Sequence, residues 1–170
     1  MIRSFALAPL PAGAGGRAQR LAILLFCISC AHAADVTVLG GPWSTSVGAA
    51  QLPAGAGTDF NSPIAADLLI AVLAISNTGG ANWNLKIARE GNEAQWLSGV
   101  SVALKRSGGS AEAGIIDGLA YRQLTSDPQP FFRGTGDYAS VEIFLRLDGV
   151  TVATPPGFSS LTIRYSIEVP

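Results

Sequence analysis

The C-terminal stretch of the chain carries its most constraining pattern. From Ser160 to Val169, apolar and polar residues alternate without a break. Because a β-strand turns successive side chains to opposite faces, this spacing gives one apolar row for a core and one polar row for solvent. Pro155 and Pro156 stand just before it and fit neither a helix interior nor a central strand. The pattern therefore predicts a half-buried β-strand whose apolar row is Leu161, Ile163, Tyr165, Ile167 and Val169.

Further strand-like runs alternate with turn signals along the chain. A nearly continuous apolar run over 67–76 leaves a buried helix over 66–75 open, but the turn-forming Asn77–Gly80 that follows favours a strand and a hairpin. Short strands are expected around Ile115–Leu124, interrupted at Asp117, while 127–130 and 134–136 are expected to be a break and a turn. The clearer runs are 35–39, 82–88, 100–106 and 138–147, with 43–47 and 150–152 as weaker candidates.

These runs predict one fold class. Many short strands separated by turns, with no amphipathic helix of convincing length, are typical of an all-β antiparallel β-sandwich, either immunoglobulin-like or pilin-like. Trp83, on an early strand, resembles the buried tryptophan of immunoglobulin-like domains.

The first 33 residues have the pattern of a secretory signal peptide. Arg17 and Arg20 precede the ten-residue apolar run 21–30, and Ala31 and Ala33 supply small residues at the cleavage position. A membrane-spanning helix is the alternative, but it needs about 20 apolar residues. We therefore expect residues 1–33 to be removed during export to the periplasm, the cell surface or the extracellular space, and residues 34–170 to form one domain.

The composition of residues 34–170 argues against several classes of function. This segment holds 137 residues, enough for a sizeable core, with eight basic and twelve acidic residues and a net charge of −4. Nucleic acid is not an expected partner, because binding phosphate backbones relies on clustered Lys and Arg. Neither a cysteine nor a histidine occurs in this segment. The sequence therefore predicts no disulfide, no catalytic residue, no metal site and no cofactor.

Aromatic residues near strand ends leave a binding module open. Trp96 and Phe131 are the candidates for stacking on a sugar ring, with packing at the rim of the core as the alternative for each. A carbohydrate-binding or adhesive module using such loop aromatics is thus the second hypothesis for function.

The last strand resembles those of chaperone–usher fimbrial subunits and related spore-coat-U-type secreted proteins. In these families the C-terminal strand alternates apolar residues, with a glycine fourteenth from the end and a penultimate aromatic residue. Gly157 is fourteenth from the end here, and the apolar row of 161–169 supplies the alternation, whereas Val169 stands at the position of the aromatic residue.

The resemblance implies a secreted, non-enzymatic fimbrial or cell-surface subunit that assembles with other subunits by β-strand addition, with help from a periplasmic chaperone. Gly157 and the apolar row would then form the strand that contacts a neighbouring subunit. Residues 34–39 would be a donor arm, with Val36 and Val38 filling pockets on the neighbour. The alternative is that this arm is the first strand of its own domain.

Overall fold

The fold is described from a computed structural model, over residues 34–40, 42–52, 54–55, 57–60, 63–91 and 99–170. The chain divides into two units, residues 1–30 and residues 31–170, and all described residues belong to the second. The predicted signal peptide lies outside the described residues. Within the described ranges, no helix is long and apolar enough to cross a membrane.

In the described part of the chain, nine strands form two antiparallel sheets, which confirms the predicted all-β antiparallel sandwich. The first sheet has five strands in the order β1-β2-β8-β4-β6, and the second has four in the order β5-β7-β3-β9. The strands are β1 (Asp35–Leu39), β2 (Ile64–Ser76), β3 (Asn82–Glu90), β4 (Ser101–Arg106), β5 (Ile116–Asp117), β6 (Arg122–Gln123), β7 (Gln129–Thr135), β8 (Tyr138–Asp148) and β9 (Thr162–Glu168). Within the described ranges, single turns of 3-10 helix lie at Ala49–Gln51 and Ser110–Glu112.

The core lies between the central strands of the two sheets. Trp83 of β3 is only 1% exposed, as its resemblance to the immunoglobulin tryptophan predicted, and its indole N–H donates to the carbonyl of Gly136 at 2.8 Å. Its ring makes edge contacts with Phe132 and Tyr138, with centroids 6.1 and 5.8 Å apart. Such aromatic pairs add to the stabilisation that comes from area burial. The fully enclosed aliphatic residues around it are Leu73, Ile75, Leu85, Ile87, Leu104, Val141 and Ile143.

Three local expectations were wrong. Residues 129–135, expected to contain a break and a turn, form β7, and Pro130 is accommodated because it pairs with Lys86 at a register shift between β3 and β7. Residues 43–47 and 150–152 are not strands. The apolar run over 67–76, by contrast, is a strand, as the turn signal after it predicted, and it contains register shifts against β8.

One polar cluster anchors the connection between β4 and β5. Arg106 and Glu112 are 4% and 3% exposed, and their side chains form an ion pair with N–O separation 2.9 Å. Arg106 also donates to the carbonyls of Ile115 and Asp117, at 2.8 and 2.6 Å. Because each charge is both paired and hydrogen-bonded, this cluster can be buried without an unpaired group.

Candidate functional site

The edges of the sandwich differ sharply between its two sides. On one side the edge strands are β5 and β6, each only two residues long. On the other side they are β1, with five residues, and β9, with seven, and these two approach to within 8 Å between Cα atoms. Proteins protect sheet edges by shortening them, bending them or covering them. The β1/β9 side keeps its long edges.

The edge of β9 is regular. Seven consecutive residues pair with β3, from Thr162 opposite Glu90 to Glu168 opposite Asn84, and this register shows no bulge. Two ion pairs on the solvent face join the strands, Arg164 to Glu90 at 3.1 Å and Lys86 to Glu168 at 2.7 Å. Among the described residues, no strand pairs with the other edge of β9. The backbone N–H and C=O groups on that edge therefore have no strand partner in the described part of the chain, and groups of this kind can pair with an added strand.

The inward row of β9 is incompletely buried. Ile167 and Tyr165 lie opposite Leu85 and Ile87, so they point toward the core. Leu85 and Ile87 are 0% exposed, whereas Ile163, Tyr165 and Ile167 are only partly buried. Since both strands share one face of the same sheet, the difference reflects what covers them. The sandwich encloses the inward side chains of β3 fully and those of β9 only in part.

The facing edge strand shows the same opening. Val36 and Val38 pair with Ile75 and Leu73, which are 1% and 0% exposed, so both valines also point inward. Val38 is nevertheless 49% exposed. We call the space bounded by the inward rows of β1 and β9 the seam; its residues are Val36, Val38, Leu161, Ile163, Tyr165 and Ile167.

The strand order explains the seam. In the first sheet, the neighbouring strands β1-β2-β8-β4 follow the A-B-E-D order of an immunoglobulin sheet. In the second sheet, β3 and β9 take the positions of strands C and F. In that architecture a further strand, G, pairs with the free edge of F. No described residue of this chain occupies the G position.

The structure brings together two of the three predicted groups of site residues. Ile163, Tyr165 and Ile167 lie on β9, while Val36 and Val38 face them from β1, within the same domain. The segment 35–39 thus pairs with β2 of its own chain, which is the alternative that the sequence left open. The remaining residues of the C-terminal group lie outside the strand: Gly157, Leu161 and Val169.

Of the two predicted sugar-binding aromatics, the structure describes only Phe131. Trp96 lies outside the described residues. Phe131 is only 2% exposed, and its ring centroid is 4.9 Å from that of Phe132. The prediction that Phe131 presents a stacking surface is wrong, because residue 131 lies within β7 and its side chain packs into the core.

A groove of about 830 Å³, lined by both polar and apolar residues, lies beside the short strands β5 and β6. Asn84, Arg122, Gln129 and Arg133 contribute to its lining. Tyr121 also lines it, but its hydroxyl donates to Asp67 at 2.9 Å and its ring lies 4.8 Å from Lys105 Nζ. These contacts hold the 118–124 segment against β2 and β4.

No group of three or more His, Cys, Asp or Glu side chains in the described part of the chain is placed to hold a metal ion. Comparison of the chain with family models, with curated proteins and with solved structures found no match.

Proposed function

We propose that this protein is an exported, non-enzymatic structural or interaction subunit that binds a partner protein by accepting a β-strand along the free edge of β9. One observation carries the proposal: a long, regular edge strand whose inward row, Ile163, Tyr165 and Ile167, is incompletely buried. The resemblance of this strand to those of fimbrial subunits supports a place at the cell surface, and the leader pattern supports export.

The physical basis is β-augmentation. An extended segment that pairs with β9 gains backbone hydrogen bonds along the edge, and its alternate side chains enter the seam. There they bury apolar surface of their own and of Val38 and Ile163. Full burial of one Val or Ile side chain is worth about 1.5–3 kcal/mol relative to exposure. Two or three such residues contribute about 3–9 kcal/mol, which together with the backbone hydrogen bonds offsets the entropic cost of association.

The proposal is tested with a charge placed in the seam. Val38→Asp puts a carboxylate where an incoming strand would bury it, and the 49% exposure of Val38 lets the free domain tolerate the change. Thr37→Asp is the matched control, because Thr37 is exposed and, as Val38's neighbour, points to the opposite face. Self-association is measured by sedimentation velocity over a concentration series, and strand capture by fluorescence anisotropy with a labelled peptide of residues 34–40.

We expect the unchanged protein to associate or to capture the peptide, Val38→Asp to weaken this at least tenfold, and Thr37→Asp to leave it near the original value. A protein that stays monomeric at all concentrations and captures no extended peptide would count against the proposal. So would association that Val38→Asp leaves intact.

A further inference from the structure

The solvent face of β9 carries charges of opposite sign placed symmetrically about Ser166. Arg164 lies two residues before Ser166 and Glu168 two residues after it, and all three alternate with the inward row. The Arg164 side chain is 47% exposed and that of Glu168 is 57% exposed. A half-turn about an axis through Ser166 and perpendicular to the sheet therefore brings each charge to the position of the opposite charge.

A half-turn is also the operation that relates the two copies in a symmetric dimer. Two copies of one edge strand related in this way run antiparallel, and the same residues are contributed by both sides. Because the axis is perpendicular to the sheet, the inward rows of both copies stay on the same face. Pairing of two β9 strands would join the two four-stranded sheets into one continuous sheet.

We propose that the strand seated along β9 is β9 of a second copy of this chain, paired antiparallel with Ser166 opposite its own counterpart; this inference rests on the proposed function. In this register Arg164 of each copy faces Glu168 of the other. Opposite charges that face each other across antiparallel strands stabilise the pairing, and the twofold symmetry forms two such contacts.

The same register places apolar residues opposite apolar residues on the inward face. Tyr165 faces Ile167 of the second copy, and Ile163 faces Val169. Val169 is 39% exposed in the single domain, and the other three side chains are only partly buried. Pairing would bury more of this apolar surface, which favours association.

The charges also decide against other registers. An axis at Tyr165 would leave Arg164 opposite Ser166 and form no charge pair. An axis at Arg164 would place this residue opposite its own counterpart, and an axis at Glu168 would do the same to the carboxylate. Like charges directly opposite each other destabilise a sheet. Ser166 is the one centre in β9 at which both charges face opposite charges.

The test is a charge reversal in one copy and its compensation in the other. The full chain is expressed in secretion-competent cells and purified in the form that they release. Arg164→Glu and Glu168→Arg each place two pairs of like charges across the axis, so each variant alone should associate at least about tenfold more weakly than the unchanged protein. A mixture of the two variants should associate as the unchanged protein does, because every charge then faces an opposite one. Sedimentation velocity over a concentration series measures both effects.

The mixture separates contacts between copies from contacts within one copy. Within the domain Arg164 contacts Glu90 at 3.1 Å, and Glu168 contacts Lys86 at 2.7 Å. The reversals disturb these contacts equally in the single variants and in the mixture. Only pairing between copies therefore explains a recovery of association in the mixture.

Arg133→Glu is the matched control. The Arg133 side chain is 60% exposed and lies on the solvent face of the same sheet, on a residue paired with Asn84. Its strand, β7, lies between β5 and β3, so it offers no free edge to a second copy. This reversal changes the net charge by the same amount as Arg164→Glu and should leave association unchanged.

A cysteine at the axis gives a second readout. Directly opposed residues of antiparallel strands have Cα atoms about 4.5–5.5 Å apart, which a disulfide can bridge. Ser166→Cys should therefore form a covalent dimer under mild oxidation, whereas Thr162→Cys, which lies away from the axis, should not. Non-reducing gel electrophoresis distinguishes them, with the unchanged protein as the blank for the cysteines of the predicted leader.

This inference and the proposed function fail separately. Undiminished association of Arg164→Glu and Glu168→Arg, a mixture that does not recover, or an absence of the Ser166→Cys dimer would each show that β9 does not pair with its own counterpart. A protein that stays monomeric and captures the peptide of residues 34–40 would also overturn this inference, while strand acceptance stands. If the protein neither associates nor captures a peptide, both are wrong.

Discussion

At the scale of single residues, the buried Glu112 carboxylate makes the sharpest prediction. It accepts hydrogen bonds from Arg106 at 2.9 Å and from the backbone N–H of Gly108 at 3.0 Å. Glu112→Ala would leave the Arg106 guanidinium buried without its counter-ion. We expect the free energy of unfolding to fall by about 3–5 kcal/mol, measured by urea denaturation.

A surface carboxylate supplies the control for Glu112. Glu168 is also paired, with Lys86 at 2.7 Å, but its side chain is 57% exposed. Glu168→Ala should cost at most about 1 kcal/mol, because exposed ion pairs are screened by solvent. If the two variants lost the same free energy of unfolding, burial would not be the reason for the large contribution of the Arg106–Glu112 pair.

The turn between β2 and β3 makes a prediction about pH. Asp137 accepts hydrogen bonds from the Thr78 hydroxyl at 2.6 Å and from its backbone N–H at 3.0 Å, and these bonds lower the pKa of Asp137. A carboxyl whose pKa is lower in the folded state contributes stability above its unfolded pKa of about 3.9 and loses it as pH falls through the folded value. Asp137→Asn should therefore flatten the fall in melting temperature between about pH 5 and pH 2. An unchanged slope in Asp137→Asn would contradict this.

At the scale of elements, the packing of β7 over Trp83 requires a glycine at position 134. A Cβ added at Gly134 would lie 2.6 Å from Cζ2 and 2.9 Å from Cη2 of Trp83. The indole is enclosed and hydrogen-bonded to Gly136, so it cannot move aside cheaply. Gly134→Ala should reduce the free energy of unfolding by about 1–3 kcal/mol, as overpacked cores do, with a lower midpoint in urea.

Gly157 is the matched control for Gly134. Nothing lies within 4 Å of a Cβ at this position, and its φ is not in the left-handed region. Gly157→Ala should leave stability unchanged or raise it by up to about 1 kcal/mol. A loss at Gly157 as large as that at Gly134 would contradict the packing argument.

The alternation of apolar and polar residues predicted the strands that have one apolar and one polar face. β3, β4, β8 and β9 each place apolar residues at every second position, and each forms close to its expected bounds. β7 was missed because Pro130 and Gly134 both read as breaks. Pro130 is tolerated because it lies at a register shift, and Gly134 is needed because the indole of Trp83 packs against it. Both conditions arise from the pairing of β7 with β3. Likewise, the bulged part of β2 contains Asp67 with φ of 57°, held by Lys105 and Tyr121 from other segments.

The candidate site could be predicted only in part. The apolar row of β9 was evident in the sequence, as were Val36 and Val38 as inward residues of an edge segment. Among the described strands, β9 has one neighbour, β3, and β1 faces it. This arrangement depends on contacts between distant parts of the chain, since β3 and β9 pair across 72 to 84 residues of sequence, and no local pattern encodes it. Phe131 was misplaced for the same reason, because its burial comes from its place in β7 and from the core cluster that it joins, and not from its neighbours in sequence.

At the scale of the whole molecule, the two sides of the sandwich differ in how firmly they are packed. The side of β5 and β6 is fixed by Arg106–Glu112 and by the contacts of Tyr121, with edges too short to recruit another strand. The side of β1 and β9 has long edges and half-buried apolar rows. The side of β5 and β6 is therefore expected to be the stable part of the domain and the side of β1 and β9 the part that can adapt to a partner. Elements with few buried contacts open at low free-energy cost while the rest of the domain stays folded.

Hydrogen exchange measures this difference directly. In the free protein, amides of β3 and β8 should exchange slowest, because their side chains are enclosed and both edges of each strand are paired. Amides of β1 and β9 should exchange faster, and a strand bound in the seam should slow β9 more than β6, which lies on the other side. Peptide-resolved mass spectrometry distinguishes these segments. Equal protection of β9 and β3 in the free protein would contradict the proposal. It would mean that β9 is as stably packed as the core strands and that its edge gains little from pairing with a further strand.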